Sequence, residues 1–331
     1  MLKSVKLRTK ILVVLSVLAA VIVPVCLQSN RYYMDIFINL GIYVILGVSM
    51  NLLIGFSGQI SLGTAAFYGI GAYTAVLLVM KLNVPFVVAL IAALVLCFVI
   101  GYVLGFPATK LNFIFLGLST SGLNTIIFLI LNNSQFTGGA SGVTGIPALT
   151  LFGQKMSKIQ YYIMVLLFVL AVCFVCFRIV NSKTGRALKA IKGNPIAAAS
   201  MGINVNRYKL LIFAIVSAMC GLAGVLYAFN IRYIQPEAFN TQMSFKILTM
   251  GIIGGMGDLG GGVLGSLVAG LIPEFLRDLS GYELVIYGAL IVLILRFMPK
   301  GLVGPVQFVL DKIDAFCAKK FKKKKQTGKE E

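Results

Sequence analysis

The residues able to carry chemistry are few. The chain has no histidine and only ten carboxylates in 331 residues. A zinc site or an imidazole acid/base pair has nothing to be built from, so no metal site is expected. Six cysteines stand at Cys26, Cys97, Cys173, Cys176, Cys220 and Cys317, most of them within apolar runs. Cys173 and Cys176 have redox spacing but no polar partner in their run, so packing is the better reading. No glycine-rich loop ends in Gly-Lys-Ser/Thr, so ATP is not held in the P-loop manner. No serine stands in a nucleophile elbow. The chain is therefore expected to be non-catalytic and to bind no cofactor itself.

What remains is polar and backbone chemistry at membrane depth. Ile54-Gly55-x-x-Gly58-x-Ile60-x-x-Gly63 lines up with Ile253-Gly254-x-x-Gly257-x-Leu259-x-x-Gly262. Unwound backbone inside hydrocarbon must be paired or wet. Paired interruptions in two halves of a chain therefore point to a central pathway. The candidate lining groups are Gly55, Ser57, Gly58, Gln59, Ser61 and Gly63 in the first break, and Gly254, Gly255 and Gly257 in the second. Ser119 and Asn124, with Thr120 and Ser121, make an unusually polar interior for 113–131. They either bond to their own helix or face water. Glycines also let helices approach closely, which would account for some of Gly69, Gly71, Gly221, Gly224, Gly265 and Gly270. Asp258 is read as a turn residue rather than a ligand, and Lys246 as a snorkelling side chain.

The elements that must position these groups follow from composition. Hydrophobic residues make up 59% and charged residues 12%, with a mean hydropathy of +0.97. Soluble domains carry about 25% charged residues. A helix needs ~20 apolar residues to cross a bilayer, and the runs are continuous rather than alternating, which excludes a barrel. The expected fold is an all-α polytopic membrane protein of about ten transmembrane helices with two Gly-broken segments. The spans begin with Ile11–Leu27 and end with Glu283–Leu295, splitting 244–276 at the second break. The formal charge of +19 is concentrated at the N-terminus, in 178–209 and in the tail 319–329. That pattern marks cytoplasmic faces and anionic lipid, not nucleic acid. Both termini are thus expected inside. A transmembrane domain is expected over 1–310, and a basic cytoplasmic tail over 311–331. The glycine-rich stretch 137–147 lies outside, as a linker or a contact surface.

The basic interval from Thr184 to Tyr208 is the longest between two strongly apolar runs. Its middle, Pro195 to Met201, reads as one short helix. Asn194 is a good N-cap and Pro195 suits the first turn. Ala197 and Ala198 are helix formers, and Gly202 stands where the helix would stop. A capped helix in a basic loop suits docking better than catalysis. Few ionisable groups lie in the spans, so ion-coupled transport has little to work with. An external motor is the natural complement, with a self-sufficient carrier or channel as the alternative.

These residues also carry a family resemblance. Ile196-Ala197-Ala198-x-x-x-Gly202 partly resembles the coupling segment of ABC importer permeases. Gly185-Arg186-Ala187-Leu188, Pro195-Ile196-Ala197-Ala198 and Met201-Gly202-Ile203-Asn204-Val205 resemble branched-chain amino acid importer permeases. So do Asn51 to Gly63, Gly254-Gly255-Met256-Gly257 and Arg296-Phe297-x-Pro299-x-Gly301-Leu302. Thr137-Gly138-Gly139 to Gly145-Ile146-Pro147 looks like the M-type subunit. The resemblance implies a type II ABC importer permease fold in a bacterial cytoplasmic membrane. It implies transport of leucine, isoleucine or valine, with urea, short amides or sugars as alternatives elsewhere in the family. It implies two ATPase subunits that use ATP and Mg, an H-type permease and an extracytoplasmic binding protein. The ATPases would couple through 181–209, with Gly185, Arg186, Asn194, Pro195, Ala197, Ala198 and Gly202 as contact residues. Where many relatives carry a glutamate, this chain reads Gly122-Leu123-Asn124, so no charged pathway residue carries over.

Overall fold

Apolar runs of about 20 residues become helices because only intrahelical hydrogen bonds satisfy the backbone in hydrocarbon. The computed structural model describes residues 31–108, 113–151 and 154–275, with scattered positions between 282 and 304. The expected first span, most of the last span and the tail 311–331 lie outside the described residues.

Helix α1 runs Arg31–Phe56; its last six residues, Asn51–Phe56, form a π-helical turn. It is followed by α2 (Thr64–Leu82), α3 (Phe86–Ala108), α4 (Phe113–Asn133) and α5 (Lys158–Asn181). Two short helices, α6 (Lys183–Gly193) and α7 (Pro195–Ser200), lead to α8 (Val205–Ile231). The described chain ends in a hairpin of α9 (Thr241–Gly254) and α10 (Leu259–Phe275). Six helices among the described residues, α1 to α5 and α8, are long and apolar enough to cross a membrane. α9 has 14 residues and the described part of α10 has 17, so neither counts among these six. The expected ten crossings are therefore not established.

Three local expectations change. The first break is narrower than expected: α1 carries Ile54 and Gly55 in its π turn, and the chain unwinds only over 58–63. In the second break the chain leaves the helix only over 255–258, and Gly260, Gly261 and Gly262 belong to α10. Packing explains this, since Gly261 faces the Gly254 and Gly255 carbonyls and Gly262 lies on Val48. The basic interval holds two helices rather than one. α6 buries Ala187, Leu188 and Ile191 and turns Lys183, Arg186 and Lys189 outward, an amphipathic pattern.

At the core, α2 and α8 touch backbone to backbone. A methyl on Gly71 would strike Gly221, and one on Gly224 would strike Tyr68. α3 fits Gly101 against Ser217 of α8, and α10 fits Gly270 against Tyr43 of α1. This is small-residue packing of the kind that replaces hydrophobic drive in lipid. The outer faces of α3, α4 and α5 present Val95, Leu118, Leu167 and Phe174.

The two ends of the bundle differ. At one, Lys158 pairs with Asp35, and the chain between α4 and α5 is ordered by short pairings. Strand β1 (Val143–Thr144) pairs antiparallel with β4 (Tyr233–Ile234), and β2 (Thr150–Leu151) pairs with β3 (Gln154–Lys155). Positive-φ glycines at 138, 139, 142 and 145 make the turns. At the other end lie α6 and α7.

Gly71→Val should destabilise the protein by at least the ~1–3 kcal/mol typical of overpacking, because the obstacle is backbone. Gly122→Ala, which meets nothing within 4 Å, should be neutral or slightly stabilising. Thermal denaturation of the two variants in detergent, followed by light scattering, checks both.

Candidate functional site

A chain that leaves helical geometry inside a bundle exposes N–H and C=O groups that need partners. Two clusters of side chains supply them, and both are built from the breaks.

The first cluster sits partway along the spans. The segment 58–63 and the start of α2 have N–H groups without intrahelical acceptors. Thr120 Oγ1 of α4 accepts from Leu62 N–H at 2.9 Å and donates to the Leu116 carbonyl at 2.8 Å. Ser244 Oγ of α9 accepts from Ala65 N–H at 3.0 Å. Asn124, fully buried, donates to Thr241 Oγ1 at 3.4 Å. Gly63 lies against the Thr120 carbonyl. Ser57 Oγ bonds to the Leu53 carbonyl and to Gln59, and Ser61 Oγ accepts from Gly63 N–H. Gln59 Nε2, Thr64 Oγ1 and Asn124 Oδ1 are buried without a hydrogen-bond partner among the described residues.

The second cluster lies at the α6 end. Asn51, fully buried in the π turn of α1, uses its whole amide. Its Nδ2 donates to the Gly255 and Asp258 carbonyls, each at 2.9 Å. Its Oδ1 accepts from Gly257 N–H at 2.9 Å. These three groups belong to the turn joining α9 to α10, which Gly255 and Gly257 make with φ of 113° and 94°. Asp258 accepts from Gly260 N–H at 2.9 Å and so caps α10, as its reading as a turn residue expects. Leu302 N–H donates to the Ile253 carbonyl, and Gly301 lies directly on Gly254 and Gly255.

The basic interval reaches this second cluster through one side chain. Lys192, in the last turn of α6, donates from Nζ to the Gly55 carbonyl at 2.6 Å. Its stem passes over Gly58, and Nζ approaches Gly257. The Gly55 carbonyl is among the last of α1, where the helix dipole favours a cation. Lys189 sits over the Phe56 ring at 5.7 Å. The two glycine breaks, the Gly301–Leu302 segment and the basic interval therefore meet at one junction.

α7 projects beyond it. Asn194 accepts from Ile196 and Ala197 N–H groups, Pro195 fills the first turn, and Gly202 at φ 81° ends it. Ala198 is buried, whereas Ile196 is 80% and Met201 83% exposed. Gly185 is buried against the Val180 carbonyl, where no Cβ fits, and Arg186 is exposed.

Of the sequence-chosen residues, Gly55, Gly58, Gly254, Gly255 and Gly257 join the junction. Ser57, Gln59, Ser61, Gly63 and Asn124 join the first cluster. Ser119 is exposed on the outer face of α4 and joins neither. In the sequence Thr120 stands only as part of the polar interior of 113–131 and Asn51 only within the family-like stretch, and no local pattern points to Lys192 or Ser244. The available signal for Asn51 was an amide deep inside the apolar run 36–54, a run that also holds Asn39. The four described cysteines, Cys97, Cys173, Cys176 and Cys220, are unpaired thiols packed in the bundle.

Apolar helices closed around broken, internally hydrogen-bonded segments make this an α-helical integral membrane protein. The chain belongs to the family described as branched-chain amino acid transport system, permease component, whose pattern it matches over residues 32–295. It is 32% identical over 298 residues to the high-affinity branched-chain amino acid transport system permease protein LivM of Escherichia coli. That match covers 82% of this chain and 70% of the relative. It is 26% identical over 282 residues to the corresponding protein BraD of Pseudomonas aeruginosa, covering 79% and 91%. It is 29% identical over 188 residues to LivH of Salmonella typhimurium, covering 56% and 58%. No solved structure matches.

Asn51→Leu keeps the volume but strands the Gly255 carbonyl and the Gly257 N–H, each worth about 1–3 kcal/mol when buried unpaired, while the Asp258 carbonyl keeps its bond from Gly262 N–H. The variant should unfold at lower temperature and show faster proteolysis between α9 and α10. Asn51→Asp should be at least as damaging, since a carboxylate would face two carbonyl oxygens. Limited proteolysis with mass mapping of the first cut checks the location.

Proposed function

We propose that this chain is one permease subunit of an ATP-driven importer of branched-chain amino acids such as leucine, isoleucine and valine. It forms half of the translocation pathway, and an H-type permease forms the other half. Two ATPase subunits that bind ATP and Mg dock on α6 and α7 from the cytoplasm, and an extracytoplasmic binding protein delivers substrate. The α6–α7 end is then cytoplasmic, consistent with its lysines and arginines. The likeness to LivM and LivH, two permeases of one named transport activity, supports the heteromeric reading.

The observation that carries the proposal is the form of α7. A capped helix and its C-cap present two bare apolar side chains, Ile196 and Met201, beside the basic α6. Exposed apolar anchors ringed by polar groups mark docking sites. Through α6 and Lys192 this helix is tied to the end of α1 and approaches the α9–α10 turn. Displacement of α7 by an ATPase would thus reach both breaks without passing through lipid. The unpartnered polar atoms of Gln59, Thr64 and Asn124 fit a path for a hydrogen-bonding solute beside them.

Ile196→Asp combined with Met201→Asp touches only exposed positions, so the bundle should fold. Loss of both anchors should weaken ATPase docking by about 2 kcal/mol or more. The ATPase subunits should then fail to co-purify and leucine uptake should collapse, while the partner permease stays bound. Uptake at the unmodified rate with ATPases retained would sink the docking role. Lys192→Met should leave the ATPases bound but reduce uptake per ATP hydrolysed, measured in proteoliposomes.

A further inference from the structure

After β4 the chain enters the bundle through one short 3₁₀ turn, Pro236–Phe239, and α9 begins at Thr241, beside Asn124 in the middle of α4. Its first turns therefore lie at the depth of the span midpoints. On α9, Gln242, Lys246 and Thr249 follow each other at helical i, i+4, i+7 spacing. Gln242 is exposed and the other two are half-buried, with Phe245 exposed beside them. The Lys246 Nζ rests on Tyr43, 4.5 Å from the ring centroid and 3.4 Å from the hydroxyl. Tyr43 is the midpoint of α1, which runs from residue 31 to residue 56. Lys246 thus holds its charge near the middle of a hydrocarbon core of ~30 Å, too deep for a four-carbon stem to reach an interface. No carboxylate among the described residues lies within ion-pair distance of it.

A charge at this depth facing lipid costs ~2.5–3.5 kcal/mol on insertion scales, so such groups face protein or a water-filled path. A polar stripe with a cation at its centre, held by the face and hydroxyl of a tyrosine, suits an anion that arrives and leaves. We propose that Lys246 is the group in the translocation pathway that reads the α-carboxylate of the transported amino acid. Gln242 offers a flanking hydrogen bond, Thr249 Oγ1 donates to the Lys246 carbonyl at 2.8 Å beside it, and Tyr43 positions the ammonium from behind. This inference rests on the proposed amino acid transport and assigns a selectivity element to the permease itself. A urea, amide or sugar substrate would find no use for this cation.

The experiment uses the whole transporter, with partner permease, ATPases and binding protein, in proteoliposomes. With saturating leucine-loaded binding protein, Lys246→Gln should lower the leucine transport rate by about tenfold or more, the scale of a lost charge-assisted hydrogen bond. Lys246→Arg should restore most of it, and ATPase activity should persist in both, giving more ATP spent per leucine moved. A purely structural lysine would lower assembly and ATPase activity together, which overturns the proposal. In Lys246→Cys, a water-soluble methanethiosulfonate should modify the new thiol in at least one nucleotide state, with leucine slowing the reaction. Inertness in every state overturns the proposal. If Lys246→Gln carries leucine at the unmodified rate, the inference falls and the transport reading stands. If the unmodified complex moves no leucine, both fall.

Discussion

The structure depends on one constraint: backbone groups released from helices inside an apolar bundle must find partners within the protein. The turn between α9 and α10 shows how this is met. Four residues, 255–258, leave the helix, and three of their backbone groups are taken up by a single buried amide from Asn51. Asn51 can reach them because α1 switches to π-helical winding at that residue. Single π turns widen a helix and often mark functional places. Removing the amide would leave the Gly255 carbonyl and the Gly257 N–H without their partner, so each broken element depends on the other.

That pairing gives the basic segment something to act on. α6 is amphipathic and packs its apolar face down, but its contact with the α1 end comes from Lys189 and Lys192. The lysine–carbonyl bond at Gly55 joins a surface helix to the last turn of a spanning helix. Glycines at 55, 58 and 257 clear the space for it, because side chains there would occupy the lysine's route or the facing backbone. The same residue type does two jobs in this chain. At Gly71, Gly221 and Gly224 it brings spanning helices into backbone contact, and at Gly255 and Gly257 it allows the turn.

Polar groups at span depth are sorted by partner. Thr120 and Ser244 are spent on the backbone of 62–65. Ser49, Ser217 and Ser266 bond to their own helices. Among the described residues, Gln59, Thr64 and Asn124 keep unpaired atoms, as do Asn39, Tyr68 and Tyr73, and Lys246 leans on an aromatic ring. Gln59, Thr64 and Asn124 border the segments where helices stop. A membrane protein with so few ionisable residues places the exceptions where a solute or a partner can meet them.

Composition and run length alone determined that the chain is an all-helical membrane protein, because a bilayer admits few other solutions to backbone pairing. Local rules also determined α7: Asn194, Pro195 and Gly202 are cap, first turn and stop whatever surrounds them. The positions of the two breaks were legible for the same reason, since glycine weakens a helix locally. Their exact extent was not. Gly260, Gly261 and Gly262 look like a longer break, yet they are helical because α1 and Gly254 pack against them. α6 was hidden by its lysines, whose helical face appears only when Leu188 and Ile191 have a bundle to pack on. The roles of Asn51, Lys192 and Lys246 were decided by tertiary structure alone. Each acts on a group more than 130 residues away, and no local pattern encodes which distant backbone group or ring a polar side chain will meet.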